Sequence, residues 1–213
     1  MFLKKTTRNY LGICLLSLVG LIAGILLSKH VHIPKKIDLT HFHGTYLETP
    51  RTVQPFKLKG IDNKLFDNSK LKGKWTFVFF GFTQCGYLCP TTMAELGKMY
   101  KILEKKELEL PQVVMISIDP ESDTLDKLKQ YVQAFNPKFF AARGNDSIIE
   151  AMTKEMGIVY QKIASKSGDS KRRYDIQHSG AIMLFNPKGQ LNVFFTLPHN
   201  ANLMAKDYML LAS

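Results

Sequence analysis

Apolar positions along this chain fall into two rhythms. Trp75 to Phe82 and Val113 to Ile118 are short, nearly continuous apolar runs, and they read as strands buried on both faces. After the first run the spacing changes to three and four. Met93, Leu96, Met99, Tyr100 and Leu103 then share one face of a helix running from Cys89 to about Lys105. The same spacing predicts helices over Leu125–Phe135, capped by the segment Asp119–Thr124, over Asp146–Met156, ended by Gly157, and over Ala201–Leu211. Alternation at Val53–Lys59 and the turn Gly60-Ile61-Asp62-Asn63 predict a small hairpin with Lys64–Phe66. Phe139–Ala141 and Ile158–Ile163 read as further short strands, and Ser165–Arg173 as a polar, basic loop. Ala181–Phe185 and Leu191–Phe195 flank the turn Asn186-Pro187-Lys188-Gly189 as a closing edge hairpin.

Strands that alternate with helices before a final hairpin predict one α/β domain over residues 51–213. Its fold class is thioredoxin-like, with a mixed central sheet flanked by helices. The N-terminal part is of another kind. Tyr10 to Ser28 is an uncharged, mostly apolar run of 19 residues, enough at about 1.5 Å per residue to cross a hydrocarbon core. It is long for a secretory leader and ends without a small-x-small cleavage site, so an uncleaved single-pass transmembrane helix is expected over 10–28. Residues 1–9 are then cytoplasmic and the domain is exported, to the bacterial periplasm or, in a eukaryote, the mitochondrial intermembrane space. Residues 29–50, with Pro34 and Pro50, read as a tether. The two His-x-His pairs within it, His30/His32 and His41/His43, have the residue type for loose copper or nickel binding, although short histidine tracts are compositional evidence alone.

Charge adds little beyond this. The net charge is +11, and residues 1–36 contribute +6 of it with no acidic residue among them. The remainder is mildly basic and has neither an RNP-type motif nor zinc-finger spacing, which argues against nucleic acid as a partner.

Chemistry concentrates in Gln84-Cys85-Gly86-Tyr87-Leu88-Cys89-Pro90, between a strand and a helix. Of the three cysteines, Cys14 lies in the apolar N-terminal run, leaving one close pair, too few for a disulfide framework. At helical spacing their Cα atoms stand about 6 Å apart, compatible with a Cys85–Cys89 disulfide or with two thiolates on one metal ion. A helix N-terminus stabilises a thiolate, and Pro90 is tolerated there because its missing N–H has no partner to lose. His178, in Tyr174-Asp175-Ile176-Gln177-His178-Ser179-Gly180, precedes a strand whose entrance in a thioredoxin-type sheet faces the cysteine helix. Two thiolates and an imidazole suit Cu(I), or Cu(II) with a further ligand, whereas tetrahedral zinc needs a fourth strong ligand. Thiol–disulfide exchange remains the alternative use of the same pair. The Pro-x-x-x-Thr-x-x-Cys pattern of peroxiredoxins is absent.

Three separated segments resemble the Sco/SenC family. Phe80 to Leu96 resembles its Cys-x3-Cys-Pro signature, Ser117 to Thr124 its Asp-Pro-Glu-x-Asp-Thr segment, and Tyr174 to Ser179, with the turn at Asn186–Gly189, its histidine segment. The resemblance spans about residues 44–212. It implies a thioredoxin-like, membrane-anchored copper chaperone that delivers copper to, or matures, the binuclear copper site of cytochrome c oxidase subunit II. Reduction of cysteines in exported proteins is the alternative activity. It further implies Cys85, Cys89 and His178 as copper ligands and Asp119 as a residue beside the site. Asp119 read without the resemblance is equally a cap for the helix at Leu125. Gly86-Tyr87 and Gln84 depart from the family's usual residues around the first cysteine.

Overall fold

The structure, a computed structural model, describes residues 17, 18, 20, 38–106, 108–164 and 174–212. The chain divides into two units, residues 1–37 and 38–213. Of the expected anchor only Ser17, Leu18 and Gly20 are described, so that segment, Cys14, His30, His32 and the basic loop 165–173 lie outside the described residues. Among the described residues no helix is long and apolar enough to cross a membrane.

The two continuous apolar runs are the sheet's centre. β4 (Thr76–Gly81) is buried at every residue and pairs in parallel with β5 (Gln112–Ser117), in register from Thr76 opposite Gln112 to Gly81 opposite Ser117. Burial on both faces removes any reason for polar alternation. Eight strands follow the order β1-β10-β9-β4-β5-β6-β2-β3. The outer members are β1 (Thr45–Thr52), β2 (Lys57–Gly60), β3 (Leu65–Asp67), β6 (Phe140–Arg143), β9 (Ile182–Phe185) and β10 (Gln190–Phe195). β9 runs antiparallel to β4, with Phe79 opposite Ile182, so the sheet is mixed. Among the described residues four helices flank it: α1 (Leu88–Glu104), α2 (Leu125–Phe135), α3 (Asp146–Met156) and α4 (Ala201–Ala212), and α1 packs on both α4 and α2.

Three features differ from expectation. The tether was expected to reach residue 50, but Thr45–Thr52 forms β1, paired antiparallel with β10. The β9–β10 hairpin is therefore interior, and β1 and β3 are the edges. β7 (Tyr160–Ala164) and β8 (Tyr174–His178) form a separate two-stranded sheet, so His178 ends a strand where a loop was expected.

Candidate metal centre

The register of three strands brings the chemistry to one end of the sheet. β4 and β5 are parallel, so the loop after Gly81, which carries Cys85, and the loop after Ser117 leave the same end; Ile118 N–H donates to the Gly81 carbonyl at 3.0 Å. β9 is antiparallel to β4 and starts at that end, so its entrance, His178-Ser179-Gly180, arrives beside the cysteines. Ser179 N–H donates to the Val159 carbonyl at 3.0 Å, and His178 pairs with Tyr160 across the small sheet.

The potential ligand atoms of Cys85, Cys89 and His178 lie within 4.8 Å of one another. Cys89 Sγ stands 3.4 Å from His178 Nε2. Both cysteines are free thiols, Cys89 buried and Cys85 half-buried. No side chain of the usual kind caps α1 at Tyr87. The Cys85 sulfur takes that place, accepting from Cys89 N–H at 3.3 Å and so satisfying one of the helix's free donors. His178 sits against the Phe79 and Phe82 rings, at centroid distances of 5.8 and 6.0 Å. Its Nδ1 is buried without a hydrogen-bond partner among the described residues, which leaves Nε2 as the nitrogen facing the sulfurs.

The two thiols are electrostatically unequal. The hydrogen bond from Cys89, helped by His178 and by the backbone N–H groups of Cys89 and Tyr87, lowers the Cys85 pKa to about 4 in spite of partial burial. Cys89 moves upward, because it is the donor to that thiolate and is buried beside its charge. The pair's first proton is therefore held below the ordinary thiol range, with the charge favoured on Cys85.

Packing around Cys89 is tight. An added Cβ at Gly81 would stand 3.0 Å from Cys89 Sγ and 2.6 Å from the Phe79 ring. The loop preceding Cys85 is tied down by Asp123, a residue singled out in the sequence only as part of a capping segment. Its fully buried carboxylate accepts from Thr83 N–H at 3.2 Å, Thr83 Oγ1 at 2.5 Å and Ser117 Oγ at 2.6 Å. Burial raises the Asp123 pKa against these bonds. Tyr131 on α2 also belongs to this layer: its buried hydroxyl has no partner among the described residues, and burial and the cysteine charges push its pKa up.

Asp119 does not join the three ligand groups. It is buried in the β5–α2 loop, where Oδ1 accepts from the Tyr174 hydroxyl at 2.6 Å, at the far end of the strand that carries His178. Nor does it cap α2, because the Thr124 side chain accepts from Lys127 N–H there. Met93 and Met99 are fully buried core residues, and Tyr87, between the cysteines, is 78% exposed.

A thioredoxin-like sheet with a Cys2His cluster at the end of its central strands defines a metal- or redox-handling domain. The chain belongs to the SCO1/SenC family, whose model matches residues 44–212. It is 31% identical over 155 residues to the SCO2-like protein of Rickettsia prowazekii, covering 73% of this chain and 72% of that one. The structure is similar to that of Arabidopsis thaliana ScoI with copper bound, at a TM-score of 0.68 and 27% identity over 75% of this chain and 96% of that one. Bradyrhizobium japonicum ScoI with copper bound is similar at a TM-score of 0.64 and 29% identity, over 73% and 96%.

Proposed function

We propose that this protein is a membrane-anchored copper chaperone that loads, or matures, the binuclear copper site of cytochrome c oxidase subunit II. Copper is its cargo. The observation that carries this reading is the convergence of Cys85 Sγ, Cys89 Sγ and a His178 nitrogen within 4.8 Å. Two soft thiolates and one imidazole form a donor set matched to Cu(I), and the two ScoI structures with copper bound support the choice of metal. Residues 10–28 would be the anchor, with the domain in the periplasm or the intermembrane space.

Each residue has a separate task in loading. Cys85 is already a thiolate at neutral pH and captures the ion first. Cys89 gives up its proton as Cu(I) arrives, since the incoming charge reverses the repulsion that holds that proton. His178 Nε2 completes the shell, held in place by Phe79 and Phe82. Asp123 fixes the loop behind Cys85, and Asp119 steadies β8 through Tyr174. Delivery reverses the order: a partner's ligand displaces the half-exposed Cys85 while buried Cys89 still holds the ion. Anaerobic reconstitution with Cu(I) tests this. The Cys85→Ser/Cys89→Ser variant should hold one equivalent less than wild type, and equal loading would refute the reading.

The low Cys85 pKa also supports thiol–disulfide exchange. The Cys85 thiolate would attack a client disulfide, forming a mixed disulfide and releasing one client thiolate. Cys89, once deprotonated, would attack the Cys85 sulfur, releasing the second client thiol and leaving a Cys85–Cys89 disulfide; two electrons pass to the client. His178→Ala separates the two roles, since it should weaken copper binding and leave a reductase active.

A further inference from the structure

His43, from one of the histidine pairs noted in the sequence, shares a cavity with a histidine from the far end of the chain. His43 and His199 line one cavity of about 290 Å³, together with Thr196, Asn200 and Met204. Each ring has one nitrogen committed to a group that only accepts. His43 Nδ1 lies 3.2 Å from Asp207 Oδ1, so Nδ1 carries the hydrogen and Nε2 is the nitrogen left to face a metal. The same carboxylate is fully buried and accepts from His43 N–H at 2.9 Å and Gly44 N–H at 2.8 Å, which fixes the backbone from which this ring projects. His199 Nε2 lies 2.9 Å from the Gly180 carbonyl oxygen, so here Nε2 carries the hydrogen and Nδ1 is bare. That Nδ1 is buried and has no hydrogen-bond partner among the described residues.

A carboxylate or carbonyl behind one imidazole nitrogen is the arrangement that fixes tautomer and orientation when the other nitrogen binds a metal. Here it occurs twice around one cavity. Met204, only 2% exposed, adds a thioether. Thioether donors select Cu(I), while zinc sites draw on thiolate, imidazole and carboxylate. We propose that His43 Nε2, His199 Nδ1 and Met204 Sδ form a second Cu(I) site, distinct from the Cys85–Cys89–His178 centre. The two sites share one stretch of chain: His178 is a member of the first, and Gly180, two residues on, anchors His199 in the second. None of the second site's ligands is a thiol. It therefore keeps copper when Cys85 and Cys89 are oxidised to a disulfide, giving the ion a place to wait while the first centre is closed.

The test uses the full chain in detergent carrying Cys85→Ser/Cys89→Ser, titrated anaerobically with Cu(I) against a chromogenic Cu(I) chelator. One equivalent should remain bound, and X-ray absorption should show nitrogen and sulfur neighbours. Adding Met204→Leu should remove the sulfur signal and weaken binding at least about tenfold; His43→Gln or His199→Gln should do the same to affinity. His30→Ala/His32→Ala/His41→Ala should leave the equivalent in place. The proposal is overturned if the cysteine-free protein retains no copper, if binding follows His30, His32 and His41, or if Met204→Leu changes neither spectrum nor affinity. Met204→Leu conserves volume and carries the test alone wherever a histidine variant fails to fold. Because the first centre is absent throughout, this result is independent of whether the Cys2His reading holds.

Discussion

Gly81→Ala puts a methyl group where the structure leaves no room. The new carbon would stand 2.6 Å from Phe79 Cε1 and 3.0 Å from Cys89 Sγ. Comfortable carbon contacts begin at about 3.5 Å, so the overlap approaches 1 Å. Phe79 and Cys89 are both 0% exposed, and neither can swing aside into solvent. Overpacking of this kind costs about 1–3 kcal/mol, which for a chain of this size lowers Tm by about 2–12 °C. Relief has to come through Phe79, which packs on His178, or through the Cys89 sulfur itself, so the strain is delivered to the metal centre. If copper, by fixing the sulfur and the imidazole, adds half as much strain again to the loaded form over the metal-free one, the Kd for Cu(I) rises about 2- to 13-fold. Gly97→Ala is the control. It lies on α1, where its Cβ would meet the Phe135 carbonyl oxygen at 3.3 Å, with no sulfur among its near neighbours. Thermal unfolding and chelator-competition titration of both variants provide the comparison. A Gly81→Ala protein with unchanged Tm and unchanged copper affinity would refute the packing of Cys89 against the end of β4.

Of the Cys85–Cys89 pair, iodoacetamide should alkylate one as a reactive thiolate, Cys85. Its pKa is depressed from the ordinary 9.0 to about 4, so the ionised form persists as pH falls and the rate should drop only as pH approaches 4. By linkage, the stability gained from that thiolate is complete above the ordinary thiol pKa and is lost as pH falls through the folded one; a rate profile titrating between pH 8 and 9 would contradict the hydrogen bonds assigned to Cys85. Asp123→Ala removes the acceptor for Thr83 N–H, Thr83 Oγ1 and Ser117 Oγ, and should cost at least about 2 kcal/mol in denaturant unfolding; a loss below about 0.5 kcal/mol would count against that network. Tyr131→Phe deletes a buried hydroxyl that has no partner among the described residues, so stability should hold or rise by up to about 1 kcal/mol, and a fall of that size would show that the hydroxyl is bonded.

What the sequence disclosed depended on how uniformly each segment is buried. β4 and β5 were legible because burial on both faces leaves an unbroken apolar run. The cysteine pair was legible because four-residue spacing at a helix start has few structural uses. β1 was hidden by Glu48, Pro50 and Arg51, residues that an edge strand tolerates on its open side, and its register shift between Tyr46 and Arg51 breaks the alternation. β8 was hidden because Ile176 is its one buried residue and the polar Asp175 and Gln177 flank it, too short an alternation to read as a strand. Asp119 and Asp123 could not be told apart, because a helix cap and a buried acceptor for loop donors use the same residue type. Only the fold shows that Thr124 is the cap, Asp123 the loop's anchor and Asp119 the acceptor for Tyr174. The cavity that His43 and His199 both line joins positions 156 residues apart, beyond the reach of any local pattern.

The central claim is that both sulfurs and the imidazole hold one copper ion, and one titration tests it most directly. The Cu(I) capacity of the full chain is measured with Cys85 and Cys89 reduced and again after they are closed into a disulfide. Oxidation should remove one equivalent, and reduction should restore it, because a disulfide offers no thiolate to the metal. A copper load that is the same in both states would contradict the account.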